Sequence, residues 1–462
     1  MGHLLPQQPV ASLDEWLATD VGGLGLQRAT ELGPAGVREL VDRSGLRGRG
    51  GGGFPTGRKW RTIATADPPR HLVANGAEGE PGTFKDRALL RANPYQFVEG
   101  LLIAALAVDV TEAYVAIKAG FQQEFEALTR AIGEMQEAGI CRNCEIAVVQ
   151  GPEEYLFGEE KALLEVIEGN PPLPRLLPPY EHGLFATAVQ TGWEGHEQDP
   201  DEPGGRGSNP TVVNNVETLS NLPHILVRGP EWFRSLGTAE SPGTFVCTVV
   251  GDVVGPDVGE VEAGTTLRQV IDLVGSGLPP GRSVKGVLSG VANPVVLPRD
   301  LDTPMSYEAF QAIGTGIGSC GFIVFDDTAC MVEVARVASR FLSVESCGQC
   351  PPCKLGSGEI TTRLERLQAG VAGDVDLETI SYWVARVTDG NRCYLANEEQ
   401  LVVASLLQAF PDEFVAHVAQ RGCPLPRPLE LPKLVDLRGG VATIDHRQER
   451  KQPDWTYLPE PG

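Results

Sequence analysis

The chain has 462 residues, and its 38 lysines and arginines against 61 aspartates and glutamates give a formal net charge of −23. This negative charge argues against nucleic acid as a main partner, because a phosphate backbone attracts clustered lysine and arginine. With 42% hydrophobic and 21% charged residues, the composition indicates a globular protein rather than a disordered one. At about 100–200 residues per domain, the length predicts about two to four domains.

The ten cysteines are too sparse for a disulfide-stapled scaffold, so we expect reduced thiols or metal ligands. The amino-terminal residues lack a basic region followed by a long apolar stretch, and no signal peptide is predicted. The longest apolar run covers residues 101–108, whereas a membrane-spanning helix needs about 20 residues. These features predict a cytoplasmic protein with no direct membrane span.

The first half of the chain predicts an α/β domain. Helix-like patterns occupy residues 1–45, and residues 48–59 form the most glycine-rich stretch. Strands and helices then alternate: strand 71–75, helix 95–108, strand 113–117, helix 122–136 and strand 145–149. Strands that alternate with helices are typical of a parallel sheet covered by helices.

The second half of the chain predicts further segments of different character. Residues 183–210 are rich in Gly, Pro, Asp and Glu and indicate a long loop. Short strands around a single helix predict a small α+β domain over residues 243–325. The pattern from 328 to 421 is mostly helical, and the tail from 424, rich in proline and charge, is expected to extend over the surface.

Four cysteines form the most specific motif of the sequence. Cys347, Cys350 and Cys353 have C-x2-C-x2-C spacing, and Cys393 follows further along the chain. Three closely spaced thiolates and a distant fourth can ligate an iron–sulfur cluster, most simply a 4Fe-4S cluster. Zinc sites more often use two separated pairs of ligands, and a disulfide fits poorly with three neighbouring cysteines. An iron–sulfur cluster is therefore favoured, with zinc or no metal as the alternatives.

The other cysteines carry weaker signals. Cys141 and Cys144 form a lone C-x2-C, which suits a redox pair, half a metal site or two unrelated thiols. Without a second pair, two unrelated thiols are the favoured interpretation. The remaining four are isolated in the sequence and are interpreted as small core residues: Cys247, Cys320, Cys330 and Cys423.

The glycine-rich stretch has two interpretations. It suits a plain surface loop, or a phosphate cradle in which backbone N–H groups approach an anion and Lys59 adds positive charge. No Ser or Thr follows the lysine, as it would in a P-loop, and no clear strand precedes the stretch, as it would in a standard Rossmann loop. Acidic residues beside glycines and two adjacent asparagines suit nucleotide contacts, or else plain surface carboxylates and turn contacts: Glu78, Glu80, Glu159, Glu160, Asn214 and Asn215.

Several motifs, taken together and in order, resemble one family. They are Ser-Gly-Leu-Arg-Gly-Arg-Gly-Gly from residue 44, Phe-Pro-Thr-Gly from 54, Glu-Pro-Gly-Thr-Phe-Lys-Asp-Arg from 80, Gly-Glu-Glu from 158, Val-Asn-Asn-Val-Glu-Thr from 213 and Glu-Ser-Cys-Gly from 345. The set resembles the flavin-carrying, NADH-oxidising subunit of respiratory complex I. The same family includes the diaphorase subunits of NAD-linked hydrogenases and formate dehydrogenases.

The resemblance implies a multidomain α/β architecture. Residues 1–240 would form a Rossmann-like domain that binds FMN and NAD(H), and residues 241–327 a small ubiquitin-like domain of β-grasp type. Residues 328–425 would form a helical domain that holds a 4Fe-4S cluster, and residues 426–462 an extended tail. The implied cofactors are FMN, NAD(H) and the cluster, and the implied partners are subunits with further iron–sulfur clusters.

The resemblance also implies roles for individual residues. The FMN phosphate would be held by Gly48, Arg49, Gly50 and Lys59. The ribityl chain or flavin ring would be contacted by Asn75, Asn214, Asn215 and Thr218. The flavin and nicotinamide would be lined by Tyr155, Gly158, Glu159 and Glu160. The NADH would be flanked by Phe54, Glu80 and Tyr180. The cluster would be ligated by Cys347, Cys350, Cys353 and Cys393. Two of these residues would serve catalysis by positioning the reactants: Glu80 and Glu160.

Three positions depart from the family pattern, all on the nucleotide side. Ala77 stands where an Asp is usual beside the flavin, Thr62 where a Phe is usual near the adenine, and Leu177 where a Lys is common near the pyrophosphate. Residues 186–208 resemble an insertion beside the nucleotide entrance, which would be a lid, a partner contact or a neutral loop. The cluster ligands and the glycine-rich stretch match the family.

The resemblance implies an electron-entry subunit, with hydride transfer from NADH to FMN and one-electron transfer to the cluster. One alternative keeps the fold and reverses the flow, so that a formate dehydrogenase or hydrogenase partner reduces NAD+. Another keeps FMN and the cluster with a donor other than NADH, and a third is a non-catalytic assembly subunit with a structural metal. The expected location is cytoplasmic, including peripheral attachment to the inner face of a membrane complex.

Overall fold

The computed structural model describes residues 2–188 and 207–459, so the predicted insertion at 186–208 lies mostly outside the described residues. The helices are α1 (Leu13–Leu17), α2 (Leu24–Ser44), α3 (Thr56–Ala64), α4 (Lys85–Ala92), α5 (Pro94–Val108), α6 (Gln122–Glu137), α7 (Glu160–Ile167), α8 (Val216–Ser220), α9 (Leu222–Arg228), α10 (Pro230–Arg234), α11 (Leu267–Gly275), α12 (Tyr307–Ala312), α13 (Met331–Glu345), α14 (Pro351–Gln368), α15 (Asp374–Val384), α16 (Leu395–Ala409) and α17 (Pro411–Gln420). The strands are β1 (His71–Gly76), β2 (Glu112–Lys118), β3 (Glu145–Gly151), β4 (Thr211–Asn215), β5 (Thr244–Gly251), β6 (Asp257–Glu262), β7 (Val284–Ser289), β8 (Gly321–Asp326), β9 (Leu434–Arg438) and β10 (Val441–Ile444). Short 3-10 helices cover Tyr155–Gly158, Pro298–Asp300 and His446–Arg450.

The amino-terminal half builds a four-stranded parallel sheet in the order β3-β2-β1-β4. Successive side chains of a strand point to opposite faces, and here both faces are covered. Leu72 and Ala74 share one buried core with α5, whereas Val73 shares another with Phe157 and Leu164. The prediction of a mixed α/β chain with a parallel sheet is confirmed.

The strand order places a binding position at one edge of this sheet. The chain runs from β1 outward through β2 to β3, and β4 then adds on the other side of β1. In open parallel sheets, ligands bind outside the carboxyl ends of the strands at such a switch point. Asn75 near the end of β1 pairs with Asn215 at the end of β4. Two of the predicted site residues therefore lie side by side at this edge.

A second four-stranded sheet has the order β6-β5-β8-β7. β5 pairs antiparallel with β6 and parallel with β8, and β7 pairs antiparallel with β8. Helix α11 begins with a capping box between Thr266 and Gln269, and it buries Leu267 and Ile271 in the same core as Phe322 of β8. Helix α12 adds the buried Phe310 to this core, so the two helices and the mixed sheet make this region an α+β unit with a core of its own.

Helices α13, α14 and α16 form the centre of a bundle whose core includes Leu342, Ile360 and Val403. The tail that follows differs from the expected extended segment. Residues 434–444 form the antiparallel β9–β10 hairpin, Leu437 is buried, and Lys451 is fully buried beside the bundle. The physical reason is the buried carboxylate of Glu345 in the bundle, which requires a positive charge that Lys451 of the tail supplies.

Among the described residues, no single helix combines the length and the apolar composition of a membrane span. Helices α16 and α17 reach that composition only as a pair, and they are bent by 79° at the break between them.

Candidate functional site

A cavity of about 1010 Å³ opens outside the carboxyl ends of β1 and β4. This volume is at the upper end of the range of about 300–1,000 Å³ that small-molecule and cofactor sites occupy. The predicted site residues that line it are Gly48, Gly50, Phe54, Lys59, Asn75, Glu80, Tyr155, Gly158, Glu159, Glu160, Tyr180, Asn214, Asn215 and Thr218. The fold thus brings together, at one site, several motifs that lie far apart in the sequence.

The glycine-rich stretch folds as a closed loop that leads directly into α3. The Gly48 N–H donates to the Phe54 carbonyl at 2.9 Å and closes the loop. Gly53 has a left-handed φ of 59°, and a Cβ there would lie 2.6 Å from the Tyr307 ring. Thr56, the first residue of α3, lines the cavity, so the positive end of the helix dipole is beside it. Backbone N–H groups and a helix amino terminus favour an anionic ligand.

Lys59 supplies a positive charge to the cavity. Its Nζ lies 3.3 Å from a carboxylate oxygen of Glu160, and the two side chains are 30% and 42% exposed. A solvent-exposed ion pair of this kind contributes little to stability, so an anionic ligand can replace Glu160 as the partner of Lys59. Arg58 also lines the cavity, with its guanidinium 5.7 Å from the centre of the Phe54 ring.

Arg49 is the exception among the predicted flavin residues. Its side chain is 2% exposed and is directed away from the cavity. The guanidinium donates to the Pro242 carbonyl at 2.9 Å and lies 4.2 Å over the Phe245 ring. Its backbone N–H donates to the Thr218 hydroxyl at 2.9 Å. The guanidinium therefore lies behind the loop, against Pro242 and Phe245, and the role of Arg49 at the flavin phosphate stays a prediction.

Hydrogen bonds hold the predicted asparagines in place. The Asn75 side-chain amide donates to the Gly158 carbonyl at 2.7 Å, which ties β1 to the loop before α7. The Asn214 side-chain oxygen accepts from the buried Trp60 indole N–H at 2.8 Å. These amides border the cavity with their orientations already set, as a binding site requires.

Asn215 belongs to a buried charged network below the cavity. Its side-chain oxygen accepts from the Lys85 ammonium at 3.0 Å, and its amide donates to Asp86 at 2.7 Å. Lys85 also lies 2.9 Å from Glu217. Burial would lower the pKa of Lys85, but the carboxylates of Asp86 and Glu217 raise it, so the lysine stays charged. This network fixes the position of Asn215.

Two predicted glutamates have their carboxylates engaged by the protein. Glu159 accepts from the N–H groups of Lys161 and Ala162, both at 3.0 Å, and so caps α7; burial raises its pKa to about 7. Glu80 accepts from the Ser319 hydroxyl at 2.5 Å and from the Val291 N–H at 3.1 Å. Burial raises the pKa of Glu80 as well. Glu80 therefore ties the parallel-sheet region to the second sheet at the cavity wall.

Tyr155 connects the cavity to the helical bundle and the tail. Its hydroxyl donates to Glu398 at 3.0 Å, and its backbone N–H donates to Glu345 at 3.0 Å. Both oxygens of Glu345 lie 2.9 Å from the Lys451 ammonium. The tail thus supports a residue of the cavity wall through one buried carboxylate.

The four motif cysteines line a second, smaller cavity. Cys350 directly precedes α14 and Cys353 lies in its first turn, with Gly348 at a left-handed φ of 80° between the first two cysteines. Cys393 comes from the turn before α16 and reaches the same cavity as Cys347. Burial raises the pKa of Cys353 to about 11, so the thiolate needs a cation. Four convergent soft thiols beside a helix amino terminus fit a cluster with four cysteine ligands.

The two cavities share part of their lining. Leu156 and Leu395 each border both the large cavity and the cysteine cavity. A single layer of side chains therefore lies between the space expected for the flavin and the space expected for the cluster.

Comparisons with known proteins identify the family. Residues 41–224 match the Nuo51 FMN-binding domain, and residues 333–417 match the NADH-ubiquinone oxidoreductase-F iron-sulfur binding region. The chain is 37% identical to an NADH-quinone oxidoreductase F subunit of Rhizobium meliloti over 406 residues, which cover 85% of this chain and 91% of that protein. The chain belongs to the family of NADH-quinone oxidoreductase F subunits. The resemblance stated from the motifs, with its FMN-binding domain and iron–sulfur region, is thereby confirmed.

The similarity to known proteins extends to hydrogenases. The NADP-reducing hydrogenase subunit HndC of Solidesulfovibrio fructosivorans is 34% identical, over 89% of this chain and 82% of that protein. The crystal structure of an NAD+-reducing [NiFe]-hydrogenase in the H2-reduced state superposes with a TM-score of 0.74 at 31% identity, covering 90% of this chain and 67% of that chain. The fold of the NADH-quinone oxidoreductase F subunits is thus shared with proteins of hydrogenases.

Two of the three departures from the pattern of these F subunits lie at the site. Ala77 and Thr62 both line the large cavity, whereas the described lining does not include Leu177. Ala77 is fully buried, and the Thr62 hydroxyl donates to the Arg58 carbonyl within α3. A carboxylate and an aromatic ring usual in the family are therefore replaced at the cavity by smaller side chains.

The sequence interpretation missed the walls contributed by the second sheet and the bundle. These residues are Asn293, Ser319, Tyr394 and Glu398. Only Glu398 carries a recognisable signal, because it falls on the inward face of the largely apolar helix α16. Its pKa is raised well above the ordinary value by burial and by its proximity to Glu80.

The lone C-x2-C pair does not contribute to the described lining of either cavity. Cys141 and Cys144 are buried in the core that supports the parallel sheet. Burial raises their pKa values to about 11 and about 12, so neither is a reactive thiolate. The interpretation as two unrelated thiols agrees with this placement.

Proposed function

We propose that this protein is the electron-entry subunit of a multi-subunit oxidoreductase, oxidising NADH at FMN and passing electrons to a 4Fe-4S cluster. The observation that carries the proposal is the shared wall of Leu156 and Leu395 between the large cavity and the cysteine cavity. The bound flavin would supply the conversion between a two-electron hydride and single electrons. The surrounding chain binds, orients and insulates the reactants.

The residues divide this work by position. The loop from Gly48 to Gly53 and Lys59 would hold the flavin phosphate, with Asn75, Asn214 and Asn215 along the ribityl side. Tyr180 and Phe54 are 46% and 50% exposed at the cavity and would flank the NADH at the entrance. Glu80 and Glu160 would position the reactants, since neither is needed to move a proton in a hydride transfer.

The domain boundaries form part of the same proposal. Residues 1–240 would be the Rossmann-like FMN and NAD(H) domain. Residues 241–327 would be the ubiquitin-like domain, which is supported by the order β6-β5-β8-β7 with parallel central strands. Residues 328–425 would be the helical 4Fe-4S domain. Partner subunits with further clusters would take the electrons onward, at a cytoplasmic or membrane-peripheral complex.

A second candidate reverses the direction of flow. The similarity to HndC and to an NAD+-reducing hydrogenase supports electron entry from a hydrogenase-type partner and reduction of a nicotinamide nucleotide. The cavity would be the same in both cases. Identification of the co-purified subunits distinguishes the two directions.

NADH should bleach the flavin absorbance of the anaerobically purified protein. The cavity contains the cations and backbone donors expected for a dinucleotide and FMN together, even with Ala77 and Thr62 at its wall. Dithionite reduction of the same sample serves as the control for flavin that is bound and reducible. Flavin that dithionite bleaches and excess NADH does not would overturn the NADH proposal in favour of another donor.

Replacing Lys59 with alanine should weaken FMN binding by about 10- to 100-fold, because a hydrogen bond to a charged group contributes about 1.5–3 kcal/mol. Equilibrium titration of the flavin-depleted protein with FMN measures the effect. Arg61→Ala is the matched control, since Arg61 lies on the same helix and pairs with Asp42 away from the cavity. Equal affinities for the two variants would exclude Lys59 from the phosphate site.

A further inference from the structure

Three side chains with metal-binding chemistry converge in the helical bundle, in a group separate from the cysteine cavity. Cys330 directly precedes α13, His417 lies in the last turn of α17, and Cys423 follows that helix. Their ligand atoms, two thiol sulfurs and one imidazole nitrogen, all lie within 4.8 Å of one another. Cys330 belongs to the buried core of the bundle and Cys423 packs against it, as interpreted from the sequence, but their sulfurs also lie close to each other and to His417.

The hydrogen bonds of His417 leave its Nε2 available to bind a metal ion. Its Nδ1 lies 2.7 Å from the Glu413 carbonyl oxygen, which can only accept a hydrogen bond. Nδ1 must therefore carry the proton, and Nε2 presents its lone pair. Nε2 lies 3.4 Å from the Cys330 sulfur. A histidine that donates its other N–H to a carbonyl is the usual arrangement at metal sites, because the bond fixes both tautomer and ring orientation.

Two N–H groups lie within hydrogen-bonding distance of the Cys330 sulfur. This sulfur accepts the Glu333 N–H at 3.4 Å at the amino terminus of α13, a helix of 15 residues. The Gln368 side-chain amide lies 3.6 Å from the same sulfur and 3.5 Å from His417 Nε2. Cys330 and His417 are fully buried, while Cys423 is partly exposed and gives access from the surface. The group is therefore enclosed but can be reached by an ion.

We propose that Cys330, His417 and Cys423 bind one zinc-class divalent cation. Two thiolates and a neutral imidazole balance the charge of a dication, which makes a buried site electrically neutral. Binding replaces the protons of the two thiols, which are released to solvent as two sulfur–metal bonds form. The three side chains would supply three of the four ligands of a tetrahedral zinc site, and a water molecule would supply the fourth.

The position of this site indicates what the ion would do. It would join the start of α13, the end of α17 and the chain that leads into the tail. Three separate segments held by one ion resist separation, because a structural metal contributes its binding free energy to the folded state. The inference rests on the chain's own ligands and does not require that NADH or FMN be bound.

The test begins with the full-length protein, purified from zinc-supplemented medium, with zinc, iron and FMN measured in each sample. We expect one zinc per chain, and zinc K-edge X-ray absorption should show two sulfurs at about 2.3 Å and a nitrogen at about 2.0–2.1 Å. Less than one zinc per chain would overturn the proposal. A coordination shell of four sulfurs around the zinc would also overturn it, because it would place the zinc at the cluster cysteines. A Cys330–Cys423 disulfide in a non-reducing peptide map would do the same.

The variant Cys423→Ser should lose most of the zinc while iron and FMN stay at the level of the unaltered protein. Cys141→Ser is the matched control, since Cys141 is buried in another core, and it should retain the zinc. Zinc retained at full level in Cys423→Ser would refute the assignment. If that variant does not fold, zinc K-edge X-ray absorption of the unaltered protein still tests the ligand assignment. A lack of iron or FMN with zinc present would contradict the proposed function and leave this site intact.

Discussion

Replacing Cys350 with alanine should abolish the reduced-cluster EPR signal and leave FMN bound. The Cys350 sulfur borders the cysteine cavity and accepts the Arg392 N–H at 3.4 Å, so its position is set by the backbone of the Cys393 loop. A 4Fe-4S cluster with four cysteine ligands loses a covalent iron–sulfur bond in this variant. The large cavity has a separate lining apart from Leu156 and Leu395, so flavin binding should persist. EPR of the anaerobically reduced protein, with iron and flavin assays, measures the result.

Cys141→Ala is the control for this experiment. It removes a buried thiol of the same size from the core of the parallel sheet, outside both cavities. The control should keep a full EPR signal, and NADH should still bleach the flavin in both variants. A full cluster signal in Cys350→Ala would show that the ligand assignment is wrong, and loss of flavin with the cluster would show that the two sites are not independent.

Lys451→Met should release the tail, lowering its local opening free energy by roughly 3–5 kcal/mol, which corresponds to hydrogen exchange faster by about 100-fold or more. Lys451 and Glu345 are both 0% exposed, and removal of the ammonium would leave a buried carboxylate unpaired. Methionine retains the length of the side chain, so the lost charge dominates the effect. Hydrogen exchange of residues 434–451, followed by mass spectrometry, measures the opening directly.

The control for Lys451 is an exposed ion pair. Arg28 and Glu31 on α2 are each 51% exposed, and Arg28→Met should cost at most about 1 kcal/mol. The double variant with Glu345→Gln should recover part of the loss, because it removes the unpaired charge. Equal effects for Lys451→Met and Arg28→Met would show that the buried pair is not what holds the tail.

The pH dependence of tail docking follows from the same pair. Burial would raise the pKa of Glu345, but the nearby Lys451 and Lys433 lower it below its ordinary value of 4.5. A lowered folded-state pKa gives stability that is present above 4.5 and is lost as the pH falls through the folded value. The difference in the opening free energy of the tail between Lys451→Met and the unaltered protein should therefore decrease at acidic pH.

Much of the secondary structure could be predicted from local patterns. The strands at 71–75, 113–117 and 145–149 and the helices at 95–108 and 122–136 agree with β1, β2, β3, α5 and α6 within two residues at each end. β1 and α5 are almost entirely buried, while α6 and the edge strand β3 are partly exposed, and in each segment the local apolar pattern can be recognised without a partner. The edge strand β6 was not predicted, because Asp257–Glu262 is half exposed and carries acidic residues.

The site could be predicted only where a motif marks it. Motif spacing alone indicated the four cluster cysteines, and the family resemblance named the cavity residues. Neither revealed that the Arg49 side chain turns into the interior or that Glu398 borders the cavity. The direction of a side chain depends on neighbours that are distant in sequence. Pro242 lies 193 positions from Arg49 and accepts its hydrogen bond.

By itself the sequence determined the family, the α/β class and the two motifs that mark the flavin and cluster sites. The tertiary structure decided that the cavities share Leu156 and Leu395, that the tail docks through Lys451, and that Cys330, His417 and Cys423 meet. The physical reason is that motifs and apolar periodicity are local properties of the chain. The packing of sheets, helices and buried charges determines which distant side chains come within a few ångströms of one another.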